Sequence, residues 1–415
     1  MSAPQPVASA PRLVPGALAS RHPGIAATSG VFGAALLAFL AIGAALPVLP
    51  AYVRGPLHAG NVSVGIVVGA FALTAVVCRP LAGRQADAHG RRLVLVVGAL
   101  VMALGGGLYV LASSVSGLVA ARLVVGAGEG AVYTAGATWA VDLAPEDRRG
   151  LALGIFGLAV WAGLSLGPLM GELLRSGLGY EAVWAITVVL PLAGAAIATR
   201  LPEPARELRG GTRRRRRLTG LAFIPRAAYR PGLALALANL GYAALAGFVV
   251  LHLRARGIGG GAIVFTAFAI AVFASRLVLS RLPDRAGARR TAAAAGLLEA
   301  LGLLIIAAAH SLLLALAGAV VIGVGFSMLF PSLALMVVGD VGEDRRGSAL
   351  GAFTAFFDIG VGLGAPIAGA TAALAGYPAV FILAAAAALG TAALALSHDR
   401  SRHATAPSAA RPRSL

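Results

Sequence analysis

Apolar residues along this chain gather into runs of roughly twenty, and the runs recur from one end to the other. They fall near 30–53, 63–83, 93–112, 117–140, 150–174, 181–199, 232–252, 261–280, 291–309, 312–338, 348–374 and 377–397. An α-helix rises about 1.5 Å per residue, so about 20 residues cross a hydrocarbon layer of roughly 30 Å. Lipid cannot hydrogen-bond an exposed backbone, whereas a helix satisfies its own. The pattern therefore predicts an all-α membrane protein with twelve transmembrane helices. Ahead of the first run, residues 1–28 are rich in Pro and Ala and read as a disordered tail. The first run is too long for the apolar core of a cleaved signal peptide and reads as the first span.

The charged positions between the runs are mostly arginine. There is no lysine: all 34 basic residues are arginines, against 16 acids, for a net charge of +18. With an even number of spans both termini share a side, and 27 arginines then fall on that side. Four (Arg54, Arg175, Arg254 and Arg256) fall on the other, and Arg79, Arg122 and Arg276 lie within spans. Loops rich in arginine stay in the cytoplasm, so both termini are expected inside a cell inner (plasma) membrane. Composition agrees, with 59% hydrophobic and 12% charged residues and a mean hydropathy of +0.87. A soluble domain carries about 25% charged residues. Nucleic-acid binding would need the basic residues on a soluble face, and here they alternate with apolar runs. The single cysteine, Cys78, permits no internal disulfide and falls within a span.

The chain repeats itself. Glu146-Asp147-Arg148-Arg149-Gly150-Leu151-Ala152-Leu153-Gly154 returns as Glu343-Asp344-Arg345-Arg346-Gly347-Ser348-Ala349-Leu350-Gly351, with eight of nine positions identical at an offset of 197 residues. That offset also takes Arg79 to Arg276, Asp87 to Asp284, Gly90 to Gly287, Gly163 to Gly360 and Gly167 to Gly364. Two homologous halves follow: an N-terminal tail at 1–28, a six-helix bundle at 29–200, a linker at 201–230, a second bundle at 231–397 and a tail at 398–415. Arginines at 213–217 make the linker a positive cytoplasmic loop; a lipid- or partner-binding patch is the alternative.

Between the second and third spans the chain reads Gly83-Arg84-Gln85-Ala86-Asp87-Ala88-His89-Gly90-Arg91-Arg92. Glycine suits the tight turn, the aspartate can accept from amides at a helix N-terminus, and the arginines anchor at the headgroups. The second half repeats the theme around Asp284, Arg285 and Gly287. These stretches resemble the signature loop of the major facilitator superfamily, and the resemblance covers almost the whole chain. It implies two pseudo-symmetric six-helix bundles that rock about a central site. It also implies that Asp87, Arg91 and Arg92, with Asp284 and Arg285, latch the halves together on the cytoplasmic side. Ala88 stands where a basic residue is usual, which weakens the expected latch.

The fifth span carries Gly154, Gly163, Gly167-Pro168 and Gly171. Small residues four apart let helices approach closely, and an interior proline bends a helix. The set also resembles the motif of the twelve-helix drug:proton antiporter family, with Glu172 where a glycine is usual. In the fourth span, Arg122 and Glu129 share a face two turns apart. Each costs roughly 2.5–3.5 kcal/mol on insertion scales, so both should face the bundle interior, paired or hydrated. Arg122 with Gly126 and Gly128 resembles the family's motif there, whose arginine serves proton coupling; Ala319 takes its place in the second half.

Two more acids lie within spans, Glu299 and Asp358. A carboxylic acid in a dry cavity can bind and release a proton as access alternates, which makes Arg122, Glu129, Asp358 and Glu299 the proton- or substrate-handling candidates. Phe39, Tyr133, Trp161 and Phe357 are candidates for the pocket wall. Arg79 and Arg276 are expected to snorkel to the cytoplasmic interface, and His252 and His310 to be solvated at outer helix ends. Glu172 is expected to pair with Arg175. No Walker motif, catalytic triad or metal-ligand cluster is present, so neither an enzyme nor a cofactor or metal is expected, and energy must come from an ion gradient. The reading is a monomeric, proton-coupled exporter of a drug-like or endogenous small molecule, of the multidrug-resistance kind. A proton-driven metabolite importer and a non-transporting membrane sensor are the alternatives.

Overall fold

The computed structural model describes residues 23–145, 148–203, 226–341 and 346–397. The first half comprises α1 (Pro23–Ala45), α2 (Val48–Arg54), α3 (Asn61–His89), α4 (Arg91–Leu111), α5 (Val115–Leu143), α6 (Arg149–Leu178) and α7 (Tyr180–Thr199). The second comprises α8 (Arg226–Ala255), α9 (Gly261–Leu279), α10 (Leu282–Ala286), α11 (Ala288–Ala308), α12 (Leu312–Gly339) and α13 (Arg346–Leu396). Eleven stretches of the described residues are long and apolar enough to cross a membrane. The last is long enough for two crossings and folds back at Gly376, whose φ of 79° ends one helix before Pro378 opens the next. The twelve predicted spans are all present.

Three details differ from the expectation. α1 begins at Pro23, inside the expected tail. α1 and α2 form one crossing bent at Leu46-Pro47, where proline withdraws a backbone donor. α10 is a five-residue helix in the loop after α9, too short for apolar periodicity to reveal. The tails at 1–22 and 398–415, the arginines at 213–217, and Glu146, Asp147, Glu343, Asp344 and Arg345 of the repeat lie outside the described residues.

Small residues set the packing. Gly105 of α4 lies against Ala121 and Val125 of α5, and the repeat-related Gly302 of α11 lies against Gly318 and Ile322 of α12. Such contacts bring backbones together, which is how helices associate where lipid removes the hydrophobic drive. Large apolar side chains point outward instead, among them Val278 at 80% and Leu374 at 89% exposure. Gly90 and Gly287, again repeat mates, hold φ of 102° and 88° at the starts of α4 and α11. Only glycine takes that backbone region without strain.

The two ends of the bundle are distinct. At one, Arg92 Nη1 donates to Leu201 O at 3.4 Å, Gly30 near the start of α1 lies against Leu201, and Arg230 Nη1 donates to Ser397 O at 3.3 Å, so the first and last described helices begin and end there. At the far end the halves meet along α3 and α13. Tyr377 Oη donates to Asn61 Oδ1 at 3.2 Å, and Gly65, Gly69 and Gly369 sit against the backbone of the facing helix. α6 and α9 form a second contact between the halves, and α8 also touches α2 and α3. His252, expected in water, is buried instead: Nε2 donates to Ile306 O at 3.0 Å and Phe381 packs on the ring.

Candidate functional site

Between the halves, on the terminal side of the α3–α13 seam, lies a cavity of about 980 Å³, its open mouth included. Phe39, Tyr133, Trp161 and Phe357, placed in a pocket from the sequence, all line it. Gly154 and its repeat mate Gly351 are exposed, and a side chain at either would meet nothing within 4 Å.

The chemistry of the wall centres on Arg79 of α3. Its Nη2 donates to Glu129 Oε1 at 3.1 Å and to Asp358 Oδ1 at 3.2 Å, and its Nε lies 2.8 Å from Asp358 Oδ2 as an ion pair. The Tyr133 ring lies beneath the guanidinium at 4.6 Å. Glu129 belongs to the first half and Asp358 to the second, and both are buried. One cation therefore ties the halves together through two acids, at a depth where an unpaired charge is costly. The expectation that Arg79 snorkels to the interface is overturned. It lies eight residues before Asp87, about 12 Å up a helix at 1.5 Å per residue, and that depth was the signal available.

Arg276 of α9 reaches the same cavity, its Cζ 5.5 Å from the Trp161 ring centroid. It too stays in the bundle rather than at the interface.

The family profile described as Major Facilitator Superfamily matches residues 31–261 and 232–414. The chain belongs to the Major Facilitator Superfamily. An uncharacterized MFS-type transporter of Salmonella typhimurium is 33% identical over 370 residues, covering 86% of this chain and 93% of its own. One from Pseudomonas aeruginosa is 32% identical over 377 residues, covering 88% and 92%. The nucleoside transporter NupG superposes with a TM-score of 0.76 at 16% identity, covering 90% of this chain and 99% of its own. The human organic anion transporter MFSD10 gives 0.68 at 19%, covering 90% and 100%. At such identities the likeness concerns the fold alone, and it spans proteins with different cargoes.

Within this Major Facilitator Superfamily transporter, the sequence-derived residues separate into groups. Arg122 and Glu129 share a face of α5 but do not pair. Arg122 is wholly buried, donates to Val67 O at 3.1 Å and Val68 O at 3.0 Å, and lies 4.5 Å over the Phe71 ring. It clamps the α3 backbone toward the far end, outside the central cavity. Glu299 is fully buried in the second half against Gly241, and neither carboxyl oxygen has a hydrogen-bond partner.

The signature loop lies at the terminal end, where Asp87 pairs with Arg91 at 2.9 Å, Arg91 with Asp142 at 3.0 Å and Arg92 with Glu203 at 4.0 Å. Gly83 faces Thr134 of α5. Asp284 and Arg285 lie exposed on α10. Gly163, Gly167 and Gly171 of α6 pack against the α1 backbone from Leu36 to Ala44, with Pro168 buried among them. That motif is a close-packed seam within the first half. Glu172 pairs with Arg175 as expected, at 2.6 Å.

Proposed function

We propose that this transporter exports a small molecule from the cytoplasm in exchange for protons, the two six-helix halves rocking about the central cavity. The observation that carries the reading is Arg79 held between Glu129 of one half and Asp358 of the other. Two carboxylates share one guanidinium, so the group can hold a proton without losing all its pairing. A proton on Asp358 weakens the tie across the interface, whereas one on Glu129 weakens the tie within the first half. Proton occupancy and the separation of the halves are thereby linked, as ion-coupled alternating access requires.

Orientation follows from the arginine bias, which puts the terminal end in the cytoplasm. The far-end seam then faces outward, and the present arrangement is the inward-facing member of the cycle. The loop around Asp87, Arg91 and Arg92 acts as the cytoplasmic latch, joined by Asp284 and Arg285 when that side closes. Glu129 and Asp358 carry the proton, with Arg79 as their partner. Arg122 positions α3, and Glu299 is an auxiliary acid of the second half.

Everted membrane vesicles with a respiration-driven pH gradient, followed by a quenched dye, test this. Compounds are added to vesicles carrying wild type, Glu129→Gln or Asp358→Asn. Gradient dissipation by wild type alone is expected. Accumulation of a metabolite by intact cells, with no dissipation across a broad panel, would establish the importer reading instead.

A further inference from the structure

Arg79 and Arg276 occupy the same place in the two repeats, and the offset of 197 residues also relates their surroundings. Glu129, which holds Arg79 within its half, corresponds to Phe326. Asp358, which holds it across the interface, corresponds to Trp161. Neighbouring glycines keep the register: Gly126 and Gly128 match Gly323 and Gly325, and Gly163 matches Gly360. The second arginine stands where the first stands, with both acids replaced by aromatic rings.

The geometry follows the correspondence. Arg276 lies over Trp161, Trp161 packs edge-on against Phe326 at 5.8 Å, and all three line the central cavity. Among the described residues Arg276 makes no ion pair, and its Nε is shut from solvent without an acceptor. Gly157 leaves room beside it, since a methyl group there would sit 3.7 Å from Nη1. An arginine keeps its charge in any surroundings and has five donors to place. The Trp161 ring offsets part of the charge but accepts from few of those donors.

We infer that Arg276 is the anion-binding point of the substrate site. The transported molecule brings the carboxylate, phosphonate or sulfonate that this half-site lacks, on a flat apolar body that packs against Trp161 and Phe326. The assignment rests on the central cavity being the transport site. A planar guanidinium meets such an oxyanion with paired, charge-assisted hydrogen bonds, and low-dielectric walls strengthen them. Arg79 does not compete for the anion, because two protein carboxylates already occupy it. For the same reason a cationic ligand finds both acids engaged.

The purified full-length protein is melted in detergent with matched probes: 1-naphthaleneacetate, its amide, and 1-naphthylethylamine. One- and two-ring carboxylates, phosphonates and sulfonates extend the panel, with chloride and inorganic phosphate as bare anions. Organic anions are expected to stabilise wild type while the amide and amine do not. Arg276→Gln should weaken anion binding about tenfold or more, the scale of a lost charge-assisted contact, and Arg276→Lys should keep part of it. Trp161→Asp supplies the missing acid from the protein itself and should weaken binding as Arg276→Gln does. It also provides a second route should Arg276→Gln fail to fold.

Preference for the amine or amide, unchanged affinity in Arg276→Gln, equal protection by bare anions, or no bound anion in the panel would each overturn the assignment. Proton-coupled flux restricted to neutral or cationic compounds removes Arg276 from recognition and leaves coupling intact. Anion binding at Arg276 with no gradient dissipation does the reverse.

Discussion

The two ends of the molecule hold the halves in different ways. At the far end, closure is a matter of backbone approaching backbone, with Gly65 and Gly69 of α3 set against Gly362, Ala365 and Pro366 of α13. At the terminal end, Asp87 with Arg91, Arg91 with Asp142 and Arg92 with Glu203 form partly exposed ion pairs that tie the loop to α5 and to the start of the linker. A glycine seam is dry and intolerant of added volume, because packed interiors have no slack for even one methyl group. Exposed pairs in water contribute little each and exchange partners easily. One end is therefore built to fit in a single way, and the other to let go. The Arg79 cluster lies between them and is sensitive to charge rather than volume.

Three tests probe this contrast. Arg79→Gln strands two buried carboxylates and should cost about 3–5 kcal/mol of stability, seen as a drop in melting temperature. Adding Asp358→Asn should return part of the loss, and strict additivity of the two changes would show that the residues are not coupled. Gly65→Val puts side-chain atoms against Ala365 and, at about 3.0 Å, Pro366 Cα. Overpacking of this kind costs about 1–3 kcal/mol, enough to shift a two-state balance roughly 5- to 150-fold away from far-end closure. With Cys78→Ser as background, Val68→Cys should then become reactive toward an impermeant maleimide from the far side. Unchanged labelling would mean that the seam is not what seals that end. Asp87→Asn should alter stability by about 0.5 kcal/mol or less. A loss as large as that of Gly65→Val would erase the distinction between the ends.

Much of the architecture could be read from the chain because its signals are linear. Span length and a constant repeat offset need no knowledge of the third dimension. The site was legible only in part. Glu129 and Asp358 stood out as acids within spans, yet their partner Arg79 was assigned to the interface, since sequence gives depth along a helix but not the helix opposite. Arg122 and Glu129 share a face, but seven residues separate them by about 10 Å along the axis, and each found partners on α3 instead. His252 shows the same limit, because its burial depends on Ile306 and Phe381 arriving from elsewhere in the chain. The glycines of α6 were recognised as a pattern, whereas their partner, the α1 backbone, could not be named in advance.

The corner at Gly376 bears on how the chain is made. α13 turns back on itself with a single non-helical residue, so no polar loop separates its two limbs. The leading limb carries Asp358, a residue that resists entry into lipid at roughly 2.5–3.5 kcal/mol. The trailing limb, residues 377–396, contains no charged side chain. During biosynthesis the two limbs have no soluble stretch at which to pause apart, so they partition from the insertion machinery as one hairpin. The uncharged limb then escorts the charged one into the bilayer, where Arg79 of α3, made earlier in the chain, stands ready to meet it.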